Sequence, residues 1–287
     1  MIKKAFFKIL TKIYIGLNIQ YNYKYKKFSI KLPADHMLPI YKNLYPKYDR
    51  FLPHFAKYLG KNGTVVDVGA NVGDTLAGML EENSELDYLC IEADDNFYAL
   101  LEDNIEKIKK FNSNIKVKTC KKFIGISFSN VILQGQNGSK HAVECEQGQI
   151  KSVALDFFIE DFLSSEVTLL KSDVDGFDYD VINSSFETIR KYKPAIFFEL
   201  QLDTAQQKIN YKETIKSLEN IGYCYWVIFD NFGEKILETE NTTIVFQLMN
   251  YLWNQTNNRT RKSIYYFDIL AVPKKHIDLT TEALKEY

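Results

Sequence analysis

The sequence contains few of the residues that mark fibrous, disulfide-stabilised or membrane-spanning proteins. Its 287 residues include only 13 glycines and 6 prolines, too few for a collagen or a low-complexity linker protein. No uninterrupted apolar run approaches the ~20 residues of a transmembrane helix. The amino end lacks a small-residue cleavage site, and lysines interrupt its apolar stretch, which is unlike a signal peptide. We therefore expect a globular, cytoplasmic protein.

Cysteine usage points to the same compartment. The 4 cysteines are scattered and form no CxxC pair; they are Cys90, Cys120, Cys145 and Cys224. Scattered cysteines fit free thiols in a reducing environment better than a disulfide framework or a zinc site.

Positive charge is concentrated at the amino end. Residues 1–61 contain 13 lysine or arginine residues, 2 acids and 8 of the 19 tyrosines, whereas the other residues carry 23 basic and 35 acidic side chains. Such a segment suits an anionic partner: lipid headgroups, a phosphorylated glycan or nucleic acid. We therefore divide the chain into a basic, tyrosine-rich extension of helix and hairpin over residues 1–62 and a main domain over residues 63–287.

Within this extension, residues 5–19 place apolar side chains at helical spacing, with lysines on another face. Because a basic amphipathic helix can lie in a membrane interface, residues 1–20 are predicted to contact the anionic inner face of the membrane. The alternative is a helix packed on the main domain, or on a second copy of the chain in a homo-oligomer. Residues 21–32 alternate in polarity and predict a hairpin, and residues 46–59 favour a helix.

From residue 64 onward, short apolar strands alternate with amphipathic helices. Seven strands are predicted, near residues 64–68, 86–91, 115–120, 167–172, 194–200, 223–230 and 264–273. The alternation predicts an α/β protein with a mostly parallel seven-stranded sheet and helices on both faces. Residues 123–153 favour a small hairpin. Residues 240–262, rich in Asn and Thr, are predicted to form a flexible insertion.

The first strand of this sheet runs into a glycine-containing turn with the sequence Asp67-Val-Gly69-Ala-Asn71-Val-Gly73-Asp74. Ligands of such sheets bind at the carboxyl ends of the strands, where strand order reverses. Asp67 and Asp74 would repel a pyrophosphate and attract a sulfonium or an ammonium, and the spacing is not the GxGxxG dinucleotide fingerprint. Glu92 ends the second strand, where an acid accepts hydrogen bonds from ribose hydroxyls.

These residues favour S-adenosylmethionine (SAM) over NAD or ATP as the cofactor. Phe123, just past the third strand, is predicted to cover the adenine. The alternative is a tight turn in an unrelated α/β protein whose acids only cap a helix.

Four aspartates follow the fourth predicted strand within eight positions: Asp173, Asp175, Asp178 and Asp180. Two carboxylates ~4 Å apart repel by about 4 kcal/mol at an effective dielectric constant of ~20. Asp173 and Asp175 therefore need a proton, Lys171, a metal ion or the cationic cofactor beside them. Asp178 and Asp180 fall in the first turn of a helix, which favours anions without any function. Glu199 is predicted to lie beside Asp173 on the same sheet edge.

Two features could activate a substrate hydroxyl for attack on SAM. The first is His141, which follows a polar loop on the predicted ligand side, since histidine is a natural base near neutral pH. The second is a divalent cation held by Asp173, Asp175 and Glu199, because a bound cation lowers the pKa of a hydroxyl.

Three blocks of the sequence resemble the FkbM-type methyltransferases. They are VVDVGANVGDT (65–75), SVALDFFIEDFL with LLKSDVDGFDYDVI (152–182) and KPAIFFELQ (193–201). The resemblance extends over residues 64–272 and implies a Rossmann-like, class I, SAM-dependent methyltransferase fold. The family's Asp-Val-Glu-Gly is Asp173-Val-Asp175-Gly176 here, which preserves the carboxylate, and its Glu-Pro is Glu92-Ala93.

Members of that family are generally O-methyltransferases of sugars, polyketides or other secondary metabolites. The resemblance thus implies an O-methyltransferase that modifies a sugar hydroxyl of a bacterial surface polysaccharide or its precursor. The turn at Asp67, Gly69, Asn71, Gly73 and Asp74 would hold the methionine half of SAM, and Glu92 the ribose. Asp173 is the candidate nearest the reacting centre, Asp175 and Glu199 would orient the acceptor, and His141 is a candidate base.

Two other functions stay open. The basic, tyrosine-rich amino end suits a methyltransferase that acts on nucleic acid. A protein with this fold can also bind SAM without turnover and serve only as a scaffold.

Overall fold

The structure, a computed structural model, describes residues 20–128, 131–135, 138, 140–144, 148, 150–258 and 263–287. The helix predicted over residues 5–19 lies outside these residues. Within the described ranges, no helix is both long enough and apolar enough to cross a bilayer.

The described chain begins with a hairpin and two short helices. Strand β1 (Tyr21–Lys24) pairs antiparallel with β2 (Ser29–Leu32), which confirms the predicted hairpin. Helix α1 spans Leu38–Leu44 and helix α2 spans Phe51–Ala56. The single helix predicted over residues 46–59 is therefore wrong at its start. Tyr45, which precedes a proline, is extended, because a residue before proline avoids the helical region.

An eight-stranded sheet forms the centre of the described chain. Its five parallel strands are β3 (Thr64–Val68), β4 (Asp87–Ile91), β5 (Lys116–Cys120), β8 (Val167–Ser172) and β9 (Ala195–Gln201). Three antiparallel strands complete it: β10 (Tyr223–Asp230), β11 (Lys235–Thr239) and β12 (Tyr266–Pro273). The order across the sheet is β11-β10-β12-β9-β8-β3-β4-β5.

The predicted α/β class is confirmed, and each of the seven predicted strands is present in this sheet. Strand β11 is an eighth strand that the sequence pattern did not predict. A separate hairpin of β6 (Val131–Gln134) and β7 (His141–Glu144) confirms the hairpin expected within residues 123–153.

Seven further helices lie among the described residues: α3 (Asp74–Glu82), α4 (Asp95–Phe111), α5 (Asp178–Ser184), α6 (Phe186–Tyr192), α7 (Ala205–Asn220), α8 (Thr242–Asn258) and α9 (Ile277–Glu286). Helix α8 corrects the flexible insertion predicted over residues 240–262. Val245, Met249 and Leu252 recur at helical spacing and are buried against the sheet, a period obscured by the surrounding Asn and Thr residues.

Both faces of the sheet carry a core, because consecutive strand residues point to opposite sides. Val65 on β3 joins a core with the amino-terminal hairpin and helices α2 to α4, whereas Val66 joins a core with α5 to α8. Leu169 and Leu170 of β8 divide in the same way. Helices therefore cover both faces, as predicted.

Residues 20–59 pack on the first of these faces, over the ends of the central strands. The buried side chain of Asn104 in α4 accepts a hydrogen bond from the Lys31 amide at 2.7 Å and donates to the carbonyls of Lys31 and Val72 at 2.9 Å. One amide group thus fixes the hairpin to the turn that follows β3. This contact places the amino-terminal segment at the edge of the cavity described next.

Candidate cofactor and acceptor site

A cavity of about 450 Å³ lies over the carboxyl ends of the parallel strands. It sits where strand order reverses between β3 and β8, the position at which open α/β sheets bind their ligands. We distinguish two parts of it. The β4 side is lined by Gly69, Asn71 and Glu92, and the β12 side by Glu199 and Asp268. Pockets of this size accommodate ligands of a few hundred daltons.

The turn after β3 requires glycine at its first position. Gly69 has φ +76°, and a Cβ built on it would stand 2.1 Å from the backbone oxygen of Asp173. The amides of Gly69 and Ala70 both donate to the Ile91 carbonyl at 3.0 Å. These contacts fix the turn between β4 and the loop after β8.

Gly69→Ala is expected to weaken SAM binding at least ~tenfold, because the new methyl group must displace the loop that carries Asp173. Gly60→Ala is the matched control: its φ is +79°, but no atom lies within 4 Å of the added Cβ. Both variants lose left-handed freedom, at about 1–2 kcal/mol each. Calorimetry with SAM should therefore separate them. Equal SAM affinities for the two variants would contradict this account of the turn.

Two other residues of the turn have different positions. Asn71 is left-handed, with φ 49°, and lines the cavity; its side-chain Nδ2 donates to the Gly138 carbonyl at 2.8 Å. Gly73 is the N-cap of α3, and a Cβ there would stand 2.8 Å from Leu101 Cδ1. Gly73 thus serves the packing of α3 against α4, while Asn71 ties the turn to the segment before β7.

Glu92 is held by backbone amides at the end of β4. Its Oε2 accepts from the Asn71 amide at 2.8 Å, and its Oε1 accepts from the amides of Ala93 and Asp94 at 2.9 and 2.8 Å. The side chain is 8% exposed and lines the cavity. Burial raises the pKa of Glu92, and the three amides oppose that rise. The carboxylate is therefore fixed in position with lone pairs left for a ligand hydroxyl.

The β6–β7 hairpin covers the β4 side. Lys140, just before β7, pairs with Asp94 at 2.5 Å and lies 5.2 Å from the centre of the Phe97 ring. Phe123 lines the same part of the cavity, as do the apolar side chains of Ile91, Phe97, Ile124, Leu133 and Ala142. An apolar slot beside a fixed carboxylate suits an adenine ring with its ribose.

Asp67 does not face the cavity. It is fully buried in β3, and its Oδ1 pairs with Lys171 Nζ at 2.9 Å. The same ammonium donates to the Gly69 carbonyl at 2.9 Å and lies 3.5 Å from Asp173 Oδ2. Burial would lower the pKa of Lys171, but Asp67 and Asp173 outweigh burial and raise it. The negative charge that faces the β4 side therefore comes from Asp74 and Glu92.

The structure brings the other predicted acids together around the loop after β8. Asp173, Asp175 and Glu199 all line the cavity. The Asp173 side chain is 52% exposed, whereas Glu199 is 6% exposed, and its Oε1 has no hydrogen-bond partner among the described residues. Asp175 is left-handed, with φ 53°. Lys171 is the neighbour that offsets the charge of Asp173.

Asp178 and Asp180 follow the loop after β8 but do not line the cavity. Asp178 Oδ1 accepts from the Ser172 hydroxyl at 2.6 Å, and Asp180 accepts from the amides of Ile126 and Ser127. Both are buried at the start of α5. They position the loop after β8 and the segment that contains Ile126 and Ser127.

The buried carboxyl of Asp178 is expected to make the free energy of unfolding depend on pH. Burial, with Asp173 and Asp175 adding to it, raises the pKa of Asp178 to about 7 against the opposing Ser172 hydrogen bond. The folded protein therefore holds a proton that the unfolded chain, with a carboxyl pKa of ~3.9, releases. Stability contributed by this proton is present at low pH and is lost as the pH rises toward 7. We expect the free energy of unfolding to fall by about 2 kcal/mol between roughly pH 5 and 7 from this group alone.

Asp178→Asn should remove that part of the pH dependence, measured by denaturant unfolding of the ligand-free protein across this range. Asp103→Asn, whose side chain is 60% exposed in a surface pair with Lys31, is the control and should keep the wild-type slope. A wild-type slope in Asp178→Asn would show that this carboxyl is not the source.

His141 begins β7, but its side chain is not among those that the structure describes. The structure therefore leaves its role as a base a prediction. Among the described residues, no group of three or more His, Cys, Asp or Glu side chains is arranged to hold a metal ion. Asp173, Asp175 and Glu199 line one cavity without forming such a group.

Several lining residues were missed by the sequence analysis. Tyr48 and Asp49 come from the segment between α1 and α2, and Tyr266 and Asp268 from β12. The charge of Asp268 inside an otherwise apolar strand was the available signal. Lys171 was predicted as a neighbour of Asp173, but its pairing with Asp67 was not.

The strand order, with its cavity at the switch point, defines a Rossmann-like α/β domain of the class that binds nucleoside cofactors. A family model described as "Methyltransferase FkbM domain" matches residues 67–225. The chain therefore belongs to the FkbM methyltransferases, a SAM-dependent family, which confirms the predicted resemblance. No protein with a curated function matches the sequence significantly.

The solved structures that are similar to the chain include the following two. Methyltransferase FkbM from Methylobacillus flagellatus KT is 14% identical with a TM-score of 0.37; the match covers 73% of this chain and 44% of that one. TYW2 from M. jannaschii, in complex with AdoMet, is 12% identical with a TM-score of 0.44, and the match covers 88% of this chain and 84% of that one. At these identities and TM-scores, neither structure informs the acceptor or the site.

The residues of the β4 side fit SAM. Gly69 keeps the turn narrow, Glu92 offers carboxylate oxygens for ribose hydroxyls, and the apolar slot by Phe123 accepts a flat ring. Asp74 adds negative charge beside the turn, which suits a cationic ligand. A pyrophosphate would face the carboxylates of Asp74 and Glu92, while Lys140 of the covering segment already pairs with Asp94.

Proposed function

We propose that this chain is a SAM-dependent O-methyltransferase whose acceptor is a sugar hydroxyl of a bacterial surface polysaccharide or its precursor. SAM would bind on the β4 side through Gly69, Asn71, Asp74 and Glu92, with Phe123 over the adenine. The acceptor would enter the β12 side. Asp67 and Gly73 would support the cofactor indirectly, through Lys171 and through the packing of α3.

The observation that carries the sugar acceptor is the composition of the β12 side. Tyrosine rings and carboxylates line it together: Tyr41, Tyr48, Tyr266, Asp49, Glu199 and Asp268. Carboxylate oxygens accept hydrogen bonds from hydroxyls, and aromatic faces pack on the C–H faces of a sugar ring. Burial raises the pKa of Tyr48 and Tyr266 well above the usual value, so both phenols keep their protons and can donate to acceptor oxygens.

When bound, SAM supplies an electrophilic methyl group on its sulfonium. Asp173 is proposed to hold the acceptor hydroxyl and to take its proton at a carboxylate oxygen. Lys171 keeps that carboxylate in place from 3.5 Å, while Asp175 and Glu199 orient the acceptor. The β6–β7 hairpin and the segment 47–52 both line the cavity, and with acceptor bound they would exclude water from the reacting hydroxyl. His141 remains the alternative base.

A nucleic-acid acceptor is disfavoured by the same lining. Nucleic-acid sites are basic because they must neutralise phosphates. Among the described residues, seven acids line the cavity, against four lysines: Lys47, Lys122, Lys140 and Lys171. The basic residues 1–20 are instead proposed to bind the inner face of the membrane, where lipid-linked glycans are assembled.

Mass spectrometry of surface glycans from cells with and without the gene tests the proposal. The expected result is the loss of one CH₂ unit of mass per modified sugar, restored by the wild-type gene and not by Asp173→Asn. Purified enzyme should convert SAM to S-adenosylhomocysteine (SAH) with a sugar acceptor. Unchanged glycans, together with an RNA gel shift at physiological salt, would favour the nucleic-acid alternative. SAM binding without conversion across acceptors would favour a scaffold.

A further inference from the structure

The β12 side contains a pair of carboxylates that face each other across two strands. Glu199 of β9 and Asp268 of β12 are directly opposite in the antiparallel register, and both line the cavity. Side chains in such positions have Cβ atoms ~4.5–5.5 Å apart, and like charges there destabilise the sheet. Protons can compensate for this arrangement while the cavity is empty, and a bound cation can replace them.

The described charges around the pair do not compensate for it. Besides burial, the negative charges of Asp173, Asp175 and Asp178 raise the pKa of Glu199. Burial and the charges of Asp173 and Asp49 likewise raise the pKa of Asp268.

The nearby lysines are engaged elsewhere. Lys171 acts on Asp268 only as a smaller opposing charge, and it pairs directly with Asp67 and Asp173. Lys42 pairs with Asp49 at 3.2 Å. Lys47 pairs with Glu234 at 3.5 Å.

Glu199 gives a second, independent indication of a ligand. Its side chain is 94% buried, yet among the described residues its Oε1 has no hydrogen-bond partner. Buried polar atoms in native proteins are nearly always satisfied. An oxygen of this kind, on the wall of a cavity, is the expected partner of a ligand donor.

The positive charge of SAM lies too far away to fill this position. In the proposed binding mode SAM is held by the turn after β3 and by Glu92 of β4, and strands are spaced ~4.8 Å apart. Strand β12 is three strands from β3, so Asp268 is roughly 14 Å away across the sheet. A cation that replaces the protons of this pair would therefore belong to the acceptor.

We propose that the acceptor carries a protonated amine, and that Glu199 and Asp268 bind it on the β12 side. This inference rests on the proposed function and narrows its acceptor to amine-bearing sugars. An ammonium group is a compact charge with three donors, which can serve both carboxylates at once. The phenols of Tyr48 and Tyr266 complete the lining for the neighbouring hydroxyls.

Binding of such an amine should release protons. Burial and the surrounding acids raise the pKa of Glu199 and of Asp268 well above their usual values, so the empty pair holds protons that an ammonium displaces. Titrations in two buffers of different ionisation enthalpy would report that release, and the affinity should rise with pH.

Calorimetry on SAH-loaded protein tests the inference with a panel of amino sugars that differ in amine position, each beside its N-acetyl form. The expected result is that at least one amino sugar binds about tenfold or more tightly than its N-acetyl form, with proton release. Glu199→Gln and Asp268→Asn should each abolish that preference. Glu238→Gln, an exposed carboxylate of edge strand β11, is the control and should retain it.

The outcomes separate the two proposals. If SAH binds and neutral sugars are methylated, but no amino sugar exceeds its N-acetyl form, the amine inference is wrong and the proposed function stands. If SAH does not bind, both fail. Because the preference is measured first on wild-type protein, a variant that does not fold leaves the test intact.

Discussion

Replacing Lys171 with methionine is expected to lower the free energy of unfolding by about 3–5 kcal/mol near neutral pH. The ammonium of Lys171 lies 2.9 Å from the fully buried Asp67 carboxylate and 2.9 Å from the Gly69 carbonyl. Methionine fills the volume but leaves Asp67 buried without a counter-charge. The loss should shrink in acid, where Asp67 can fold in its protonated form. Denaturant unfolding at two pH values measures both effects.

Two further variants control this experiment. Lys61→Met removes an exposed pair with Glu85, in which the lysine is 78% exposed, and should cost less than about 1 kcal/mol. The double variant Asp67→Asn with Lys171→Met removes both charges and should recover part of the lost stability. If Lys171→Met stays within about 1 kcal/mol of wild type, the buried pair does not stabilise this site as described.

Replacing Asp173 with asparagine is expected to reduce turnover by about 10²–10⁴-fold, the range that a general base contributes. SAM affinity should change little, because the Asp173 side chain is half exposed toward the cavity and the cofactor is held by the turn at Gly69 and by Glu92. Single-turnover methyl transfer and calorimetry with SAM measure the two quantities separately.

Matched variants distinguish a proton acceptor from a structural role. Asp173→Glu retains a carboxylate and should recover part of the rate, with a pH profile that still reports one ionising group. Asp161→Asn, at an exposed position that does not line the cavity, should behave as wild type. Unchanged turnover in Asp173→Asn would transfer the role to another base, with His141 the first to test.

The parts of the fold that could be predicted are those that depend on residues close together in the sequence. Strand β3 is a fully buried apolar run that ends in a glycine turn, and Glu92 ends the next strand at the expected place. Such signals depend on neighbouring residues and on the rule that ligands lie at strand ends. They located the β4 side of the cavity directly.

The parts that were missed depend on contacts between distant segments. Lys171 pairs with Asp67 because the parallel register of β8 on β3 places them side by side. That register cannot be deduced from local sequence patterns. Asp268 faces Glu199 only because β12 runs antiparallel to β9. Helix α8 was hidden by its Asn and Thr residues, although its buried face alone stabilises it.

The amino-terminal segment is the least predictable part of the site. Its tyrosines and basic charge suggested an anionic partner, yet Tyr48 and Asp49 line the cavity. Their positions depend on α2, whose Phe51 packs 4.4 Å from Phe229 of β10. The segment therefore contributes to the acceptor side through packing that no local pattern reveals.

The account depends on the β4 side being a site for a cationic nucleoside. Isothermal titration calorimetry of the ligand-free protein with SAM, SAH and ADP tests this most directly. We predict binding of SAM and SAH, no heat with ADP, and at least ~tenfold weaker SAM binding in Glu92→Ala, which loses charge-assisted hydrogen bonds at the ribose position. Clear uptake of ADP without measurable binding of SAM would contradict the account.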